Sequence, residues 1–532
     1  MTGHVSIALC LMLLSSQTRS AGAEPLHRCP INCQCFSANR VLCSDQRMSS
    51  LPENLSGEIR EVIVMTTSVA YLSPNTFQGS PQLTKLVFLK NAIREVHAKA
   101  FRNLTRLEEL DLSGNPWLEH LVQGTFSQQG NLTKLQLNFN RLKTVLPDTF
   151  HPLGNLETLE MKGNLVADLP ASLFRSLQRL HHLDLSQNWL EEVTRENLEA
   201  LTELRTLKLN YNLISRLFAD TFHNVSRLKE LHLEGNQLSD LPGDVFSALT
   251  RLEVLNLRGN FLSNFSSDVF PSSLRELTLK GNELIELSGS SFRGLSSLAF
   301  LTLSTNLLSQ LPPDLFLNLK ALEDLDLSEN HLTSLPGEIF SGLGGVRVIR
   351  LQKNNLTEMA AELFEDQPLL RQLHLQDNRL QSVAPGLFAP FQFQNVVRLH
   401  GNPWRCDCQA SYLHDWMLNH SADAESQDKV RCGGPGPLRG RPLASVDKER
   451  LVCRLPPEDR MMAADQALNC TLHTADGAVV VKCKVDTCSP LKVRVQFEAE
   501  DGSVYENVVQ RQWPGDKQCD NNTISNRTET PS

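Results

Sequence analysis

The sequence predicts a solenoid of short repeats, in which parallel β-strands form a concave sheet and small capping segments close both ends. Three observations predict it: asparagines recur at nearly fixed intervals, phenylalanines recur beside them, and almost all cysteines lie outside this pattern. A fixed period of about 20–50 residues indicates coils that stack on their neighbours, because each has a hydrophobic face that it cannot bury alone. Stacked coils can cohere over 532 residues, although a single compact core stops growing near about 250–300 residues.

Asparagine defines the period. Each asparagine closes a phrase such as Leu322–Asn330 (LEDLDLSEN), in which leucines alternate with other residues as in a strand with one buried face. The asparagine amide both donates and accepts, so we expect stacked asparagines to satisfy inward-facing backbone groups in coil after coil. Fourteen asparagines are spaced by 24 residues apart from one interval of 25 and one of 22: Asn91, Asn115, Asn140, Asn164, Asn188, Asn212, Asn236, Asn260, Asn282, Asn306, Asn330, Asn354, Asn378 and Asn402.

A second periodicity places phenylalanine in every coil but one, where Leu198 replaces it. We expect these rings to stack beneath the convex side and fill the core between coils. An earlier, degenerate phrase, Ile59–Thr67, keeps the hydrophobic phase with threonine in the asparagine position. The phenylalanines are Phe77, Phe101, Phe126, Phe150, Phe174, Phe222, Phe246, Phe270, Phe292, Phe316, Phe340, Phe364 and Phe388.

The phrase L-x-x-L-x-L-x-x-N resembles the leucine-rich repeat. The resemblance implies a leucine-rich-repeat solenoid, an α/β horseshoe of about 14 to 15 coils with a parallel β-sheet on its concave face. We expect disulfide caps at its two ends and a small β-rich module after the second cap. Such a solenoid is typical of binding proteins, and it rarely carries chemistry of its own.

The sequence divides into six predicted segments. The apolar run Val5–Leu14 and the small residues at 21–23 predict a secretory signal peptide over 1–23. An N-terminal cysteine cap over 24–57, repeats over 58–401 and a C-terminal cysteine cap over 402–454 follow it. A four-cysteine module over 455–519 and a flexible tail over 520–532 come last.

Composition excludes several functional classes. The formal net charge is −9 and the pI is near 6.0, so the chain lacks the basic footprint that nucleic-acid binding requires. Beyond the predicted signal peptide no run of about 18 apolar residues predicts a membrane span, and the polar residues 521–532 exclude a lipid-anchor signal. We therefore expect the mature chain to be soluble and extracellular.

Catalytic signatures are missing from the sequence. It contains no H-E-x-x-H zinc motif, no G-x-S-x-G nucleophile motif and no G-x-x-x-x-G-K-[ST] phosphate loop. The aspartates and glutamates are numerous, but nothing in their spacing selects a catalytic pair. The sequence predicts no enzyme, no cofactor and no metal site.

Twelve cysteines remain once Cys10 leaves with the predicted signal peptide, and none falls between 43 and 406. An even number in a secreted chain indicates disulfides at the open ends of the solenoid. A zinc cluster is the alternative, but C-x-C followed by distant single cysteines lacks paired C-x₂-C spacing. The three groups are Cys29, Cys33, Cys35 and Cys43; Cys406, Cys408, Cys432 and Cys453; and Cys470, Cys483, Cys488 and Cys519.

Acceptor sequences N-x-[ST] predict N-glycosylation and support secretion. A tenth sequence, at Asn469, is a doubtful acceptor because Cys470 follows it directly. The nine predicted sites are Asn54, Asn103, Asn131, Asn224, Asn264, Asn355, Asn419, Asn521 and Asn526.

The third, fifth and seventh residues of each phrase are expected to point out of the concave sheet. At the fifth position acids dominate the early coils, whereas the last three coils carry Arg350, His374 and Arg398, which could dock an acidic partner. A solvated face with scattered charge is the alternative, and the sequence leaves it open. At the third position Val254, Phe300 and Val348 are apolar in alternating coils, and exposed aromatics favour binding hot spots.

Both flanks resemble those of extracellular leucine-rich-repeat proteins. The N-terminal flank carries Cys29-Pro30 and the three cysteines after it, and the C-terminal flank carries Asn402–Cys408 (NPWRCDC) with Leu413 and Trp416. In such caps tryptophans cover the last coil. The first cysteine of each cap pairs with the third and the second with the fourth. The implied disulfides are Cys29–Cys35, Cys33–Cys43, Cys406–Cys432 and Cys408–Cys453.

A closer resemblance, along almost the whole chain, is to the large, regulatory subunits of carboxypeptidase N. It rests on Cys33–Asp45 (CQCFSANRVLCSD), Leu83–Leu89 (LTKLVFL), Leu132–Asn140 (LTKLQLNFN), Leu399–Cys408 (LHGNPWRCDC) and the four-cysteine module. The resemblance implies a plasma glycoprotein without activity, which binds and protects a small catalytic zinc carboxypeptidase subunit in a dimer of heterodimers.

The alternative function is that of a soluble pattern-recognition or ligand-trapping protein, which similar solenoids also perform. A hydrolase in its own right is the third hypothesis, and it would need activity in the purified chain. The sequence does not decide which surface binds a partner, and the C-terminal module could do so instead of the concave face.

Overall fold

The computed structural model describes residues 29–453 except 38, 53–54, 75, 392–395 and 421–427, and the backbone of five strands between 469 and 529. The predicted signal peptide, Asn54, Cys488, Cys519 and Asn521 lie outside the described residues. The described residues form two compact units: the first contains those up to 284 together with 291–301, and the second contains 285–290 and those from 302 onward. Both are leucine-rich-repeat solenoids, as the asparagine period predicts.

The first unit is built on a parallel sheet in which each strand pairs with the strand of the next coil. The register joins equivalent leucines, for example Leu159, Leu183 and Leu207. A short helix, α1 (Arg195–Leu198), lies in the coil where leucine replaces phenylalanine. The strands are β1 (Cys33–Ser37), β2 (Arg40–Cys43), β3 (Glu61–Met65), β4 (Tyr71–Leu72), β5 (Lys85–Leu89), β6 (Glu95–Val96), β7 (Glu109–Asp111), β8 (Lys134–Gln136), β9 (Thr158–Glu160), β10 (His182–Asp184), β11 (Thr206–Lys208), β12 (Glu230–His232), β13 (Val254–Asn256), β14 (Glu276–Thr278) and β15 (Phe300–Thr302).

The second unit continues the same architecture and ends in the C-terminal cap. Strands β16 (Asp324–Asp326), β17 (Val348–Arg350), β18 (Gln372–His374) and β19 (Val396–Arg398) pair in parallel in that order. The cap contains β20 (Trp404–Arg405), α2 (Ser411–His420) and β21 (Cys432–Gly434). Its four 3₁₀ turns are Cys408–Ala410, Gly436–Leu438, Leu443–Ser445 and Lys448–Arg450. No helix in the described part of the chain is long and apolar enough to cross a membrane.

The asparagine ladder is confirmed. In the first unit, Asn236 Nδ2 donates to the carbonyls of Leu209 and Leu233 at 3.0 and 2.9 Å. Its Oδ1 accepts from the N–H of Ile214 at 3.1 Å. One side chain therefore satisfies three backbone groups, two of them in the coil before its own. Thr67 joins the ladder as its first member, because its N–H and hydroxyl both donate to Asn91 Oδ1.

The phenylalanine stack is also confirmed. Phe150 and Phe174 lie with ring centroids 6.4 Å apart and planes 10° apart, and Phe340 and Phe364 are similarly placed at 5.8 Å. These rings are almost fully buried, and Leu198 is 1% exposed where the helix replaces the phenylalanine turn. Offset stacking of aromatic rings adds to the energy of area burial, so the stack ties neighbouring coils together.

The expectation for outward-pointing residues is correct at the third position and at the fifth position except for Asp184, which is 7% exposed. It is wrong at several seventh positions. Ser186 and Ser328 are buried. Each donates its hydroxyl to the carboxylate of the aspartate two residues earlier, Asp184 or Asp326, at 2.6 Å. This local hydrogen bond draws the seventh residue against the sheet and so removes it from the face available to a partner.

The caps contain four disulfides, Cys29–Cys35, Cys33–Cys43, Cys406–Cys432 and Cys408–Cys453, the same pairs that the flank resemblance implies. In the N-terminal cap β1 and β2 form an antiparallel hairpin, and β2 pairs in parallel with β3 of the first coil. In the C-terminal cap Trp404 is 1% exposed, and the Trp416 ring lies 4.7 Å from that of Phe388. The tryptophans cover the last coil, as expected.

The region after the cap contains five strands. They are β22 (Asn469–Ala475), β23 (Ala478–Lys484), β24 (Leu491–Glu498), β25 (Val504–Arg511) and β26 (Thr523–Glu529). Strand β23 pairs antiparallel with both β22 and β26, and the β22 register sets Cys470 opposite Cys483. Strand β26 occupies seven residues where the sequence predicts a flexible tail, because its backbone completes the free edge of β23.

Candidate binding surfaces

Two of the predicted partner-binding residues lie on the sheet of the first unit. Val254 is half-buried on β13, and Phe300 is 47% exposed on β15. The N–H of Phe300 donates to the carbonyl of Arg275, and Val254 pairs with Glu276, so a charged coil separates the two apolar residues. They form isolated apolar positions, and exposed residues of that kind are common on protein surfaces.

The other four predicted residues lie together on the sheet of the second unit. The register aligns Val348 with Val396 across Gln372, and Arg350 with Arg398 across His374. Neighbouring strands are about 4.8 Å apart, so the three basic or titratable side chains form one row. We name this row and its two valines the β17–β19 face.

Charge on the β17–β19 face is unevenly compensated. Arg350 pairs with Asp324 on β16. Arg398 is exposed, and no carboxylate of the described residues lies within ion-pair distance of it. The face therefore retains one guanidinium that can make a charge-assisted hydrogen bond to an acidic partner.

His374 is the most constrained member of this face. Burial, and then the positive charges of Arg398 and Arg350 on either side, hold its pKa below the ordinary 6.5, against the opposing charges of Asp326 and Asp324. Its Nε2 is buried and has no hydrogen-bond partner among the described residues, and the same holds for the Oε1 atoms of Gln352 and Gln376. These three atoms are buried, so their missing hydrogen bonds lie beneath the surface and not on the part of the sheet that a partner could contact.

The depressed pKa of His374 predicts a pH effect on stability. The unfolded chain binds the proton more readily than the folded one, so the free energy of unfolding falls as pH drops below about 6.5. We expect His374→Gln to lose less stability than the parent chain between pH 7.5 and 5.5, as measured by urea-unfolding midpoints. His331→Gln, at an exposed position, is the control; equal pH slopes in all three proteins would contradict the prediction.

The early acidic positions on the first unit's sheet are compensated within the sheet. Burial favours the neutral form of Glu109, but the hydrogen bond and charge of Lys85, 2.8 Å away, and the charge of Lys134 leave its pKa lowered. Burial raises the pKa of Asp111, which accepts the N–H of Ser113 at 2.8 Å. Glu109 therefore links its coil to the two neighbouring coils through Lys85 and Lys134, whereas Asp111 is hydrogen-bonded within its own coil.

Only one group of three potential metal ligands occurs among the described residues, Asp407 with Cys408 and Cys453. The two cysteines form a disulfide, so neither offers a thiolate to a metal. Asp407 instead accepts the N–H of Gln409 at 3.1 Å and pairs with Arg405 at 2.8 Å. The group is part of the cap structure.

An open groove that was not predicted from the sequence lies on the first unit, at the edge where the strands begin. It has a volume of about 490 Å³, and its lining includes Arg60, Arg106 and Arg179. These arginines directly precede or follow the first leucine position of their coils, a recurrence that could have been found in the sequence. The predicted glycosylation site Asn131 also lines the groove, where its Nδ2 donates to the Thr105 carbonyl at 2.8 Å.

Exposed aromatic residues, also not predicted from the sequence, lie beside the asparagine ladder of the first unit. Phe139 and Tyr211 have positive φ angles of 52° and 57°, and their rings lie against Gly163 and Gly235 of the next coils. A Cβ at either glycine would come within 2.5 Å of the ring, so only glycine fits. Large hydrophobic side chains at this edge that are at least half exposed are Trp117, Phe139, Trp189, Tyr211 and Phe261.

The remaining predicted glycosylation sites differ in accessibility. Asn264 and Asn419 are exposed, whereas Asn103, Asn224 and Asn355 are partly buried. Asn224 Oδ1 is buried without a hydrogen-bond partner among the described residues. The side chain of Asn526 lies outside the description, although its backbone belongs to β26. Glycan attachment at these sites stays a prediction.

A family model described as Leucine rich repeat matches residues 58–116, 117–166, 155–214, 178–238, 202–262, 272–332 and 322–380. Among curated proteins, the chain is similar to human carboxypeptidase N subunit 2, with 33% identity over 127 residues. That alignment covers 20% of this chain and 23% of the relative, a shorter span than the sequence analysis expects. Human reticulon-4 receptor-like 2 is 33% identical over 133 residues, covering 25% of this chain and 30% of that protein.

Solved structures share the fold over longer spans. A leucine-rich-repeat protein of Leptospira interrogans superposes with a TM-score of 0.62 at 27% identity. The match covers 71% of this chain and 94% of that one. The glycosylated Toll–Spätzle complex of Drosophila gives a TM-score of 0.58 at 20% identity, covering 82% and 74% of the two chains, a likeness of fold alone.

Proposed function

The chain belongs to the leucine-rich repeat family, and on that premise we propose that it is a secreted, non-catalytic glycoprotein that binds, carries and stabilises a small catalytic zinc carboxypeptidase subunit. The observation that carries the proposal is the similarity to carboxypeptidase N subunit 2, a protein whose name describes one part of an assembly. The chain spans about a quarter of that relative, so the activity and partner of the whole assembly enter as proposals.

The β17–β19 face supports a protein-binding role. Arg398 is exposed and has no carboxylate within ion-pair distance among the described residues, so it is available for an acidic partner group. A sheet whose strands are fixed by backbone pairing loses little conformational freedom on binding, which favours affinity. Val348 and Val396 supply apolar contact next to the charged row.

The assembly we propose is a dimer of heterodimers in the extracellular space of plasma. Four disulfides in the described caps fit an oxidising compartment, and the acceptor asparagines fit a glycoprotein. Glycans on the solenoid would hinder protease access to either subunit.

Co-elution tests the proposal. The full chain and a small basic carboxypeptidase, mixed at micromolar concentration, are expected to elute from size exclusion as one complex that retains enzyme activity for longer than the free enzyme. Arg350→Glu with Arg398→Glu is expected to weaken the complex about 50-fold, because like charges would replace charge-assisted contacts. Arg175→Glu with Arg251→Glu, at exposed positions, is the matched control.

Separate elution of the two wild-type proteins would contradict the proposal. If the complex forms but both double variants bind equally well, the β17–β19 face is not the binding surface. The C-terminal strands β22–β26 would then be the next candidate.

A ligand-trapping protein is the second candidate, and the exposed aromatic edge of the first unit favours it. Trp189, Tyr211 and Phe261 are 56%, 52% and 50% exposed, and aromatic residues are enriched in binding hot spots. A pull-down from plasma that recovers microbial or lipid ligands instead of a peptidase would support this function.

A further inference from the structure

Three arginines meet at one loop of the C-terminal cap. Arg431 Nη1 donates to the carbonyl of Gly440 at 2.8 Å, so its guanidinium lies beside the peptide segment that joins Arg439 to Arg441. All three residues are exposed. We name Arg431, Arg439 and Arg441 the cap arginine cluster.

The backbone beneath this cluster is firmly held. The N–H of Cys432 donates to the Arg441 carbonyl at 2.9 Å, and the N–H of Gly440 donates to the Cys432 carbonyl at 2.8 Å. Cys432 is also linked to Cys406 by a disulfide. Gly440 has a φ of 82°, which allows the tight turn between the two outer arginines. The backbone that carries the three arginines is therefore fixed before any ligand binds, which reduces the entropic cost of binding.

In the described part of the chain, the cap arginine cluster has no acidic partner. No carboxylate among the described residues lies within 4.0 Å of its guanidinium nitrogens. By contrast, Arg216 in the first unit and Arg347 in the second each pair with a glutamate of the preceding coil. The formal net charge of the chain is −9. Three guanidinium groups without acidic partners among the described residues therefore make this loop locally positive on an acidic protein.

The surroundings of the cluster favour a polymer with repeated anionic groups over a folded protein. The exposed residues of the intervening loop are Gly433, Pro435, Gly436 and Pro437, and none of the exposed large hydrophobic residues belongs to it. Protein interfaces usually contain apolar or aromatic anchors, which this loop does not supply. Planar guanidinium groups instead match the oxygens of sulfate and carboxylate groups with two parallel hydrogen bonds.

We propose that the cap arginine cluster binds a sulfated polysaccharide of the extracellular matrix or cell surface. Sulfate and carboxylate groups spaced along such a polymer would each accept hydrogen bonds from one guanidinium. Because arginine stays protonated at all physiological pH values, the attraction does not change between pH 6 and 8, but it weakens with salt. The interaction is independent of the peptidase-binding proposal and involves a different part of the second unit.

Heparin serves as the probe. The full-length secreted chain is expected to bind immobilised heparin at about 0.15 M NaCl. Arg439→Ser with Arg441→Ser is expected to bind about tenfold more weakly, because two charge-assisted contacts are lost. Arg175→Ser with Arg251→Ser removes the same charge from the first unit and is expected to bind like the parent chain. Arg439→Lys with Arg441→Lys retains the charge, and its affinity for heparin is expected to lie between those of the parent chain and the Arg439→Ser, Arg441→Ser variant.

A second measurement needs no variant. Heparin is expected to protect Arg439 and Arg441 of the wild-type chain from phenylglyoxal modification, read out by mass spectrometry, whereas Arg175 and Arg251 stay reactive. Three results would overturn the proposal: no retention of the wild-type chain at physiological salt, equal losses in the cluster and control variants, or binding to desulfated heparin as strong as to heparin. Stronger binding to phosphatidylserine vesicles than to heparin would assign the cluster to membranes instead.

Discussion

Replacing Asn330 by alanine is expected to lower the free energy of unfolding by about 3–6 kcal/mol, since it removes the partners of several buried backbone groups at about 1–3 kcal/mol each. Asn330 Nδ2 donates to the carbonyls of Leu303 and Leu327 at 3.0 and 3.1 Å. Its Oδ1 accepts the N–H of Leu308 at 3.2 Å. The residue is 4% exposed, so water cannot replace the lost partners without opening the coil.

Equilibrium urea unfolding followed by circular dichroism measures this effect. Asn318→Ala is the matched control, because Asn318 is an exposed asparagine in the same unit and is expected to change stability by less than about 0.5 kcal/mol. Similar losses in the two variants would show that the ladder contributes no more than a surface asparagine. Coils of a solenoid can also unfold separately, because each contacts only its neighbours. We therefore also expect the Asn330→Ala variant to show a separate unfolding transition at a lower urea concentration.

Removing the Cys408–Cys453 disulfide with serine at both positions is the second large effect. The two cysteines are 45 residues apart, and the loop-entropy relation gives about 4 kcal/mol for a loop of that length. The bridge also ties the last described residues of the cap to the turn that precedes α2. We therefore expect a lower melting temperature for this variant.

The N-terminal bridge Cys29–Cys35 is the comparison. It spans only 6 residues, and the same relation gives about 2 kcal/mol, so the corresponding double serine variant is expected to lose about half as much stability. Mass spectrometry first confirms that the remaining disulfides are intact in both variants. Their melting temperatures then test whether the loss of stability is larger at the C-terminal bridge. A larger loss at the N-terminal bridge would contradict the loop-length argument.

Most of the solenoid could be predicted because one period determines several layers of structure at once. The 24-residue spacing fixes which leucines pair between strands, which asparagines contact the coil before them, and which phenylalanines stack. Even Thr67 of the degenerate first phrase joins the ladder at its start, where its N–H and hydroxyl donate to Asn91 Oδ1. Each of these interactions recurs at a nearly constant sequence interval from coil to coil, so the period of the sequence specifies the contact.

The binding surfaces were less predictable because they depend on contacts between non-equivalent positions. Arg350 pairs diagonally with Asp324, 26 residues away, and this choice leaves Arg398 without an acidic partner in the described part of the chain. The cap arginine cluster likewise arises from one hydrogen bond between Arg431 and Gly440 across an irregular turn. Side-chain direction and turn geometry set such contacts, and neither follows from a repeat interval.

The asparagine ladder gives the solenoid a direction. Each asparagine serves backbone groups of the coil on its N-terminal side, and the last of them, Asn402, does so from the first residue of the C-terminal cap. Its Oδ1 accepts the N–H of Leu380, and its Nδ2 donates to the carbonyl of Leu375. Deleting a coil at the N-terminal end removes backbone groups that an asparagine would have bound. Deleting a coil at the C-terminal end removes the asparagine itself, so backbone groups of the coil before it lose their hydrogen-bond partner. Insertions and deletions of whole coils should therefore be tolerated unequally at the two ends, and any replacement cap must itself begin with an asparagine.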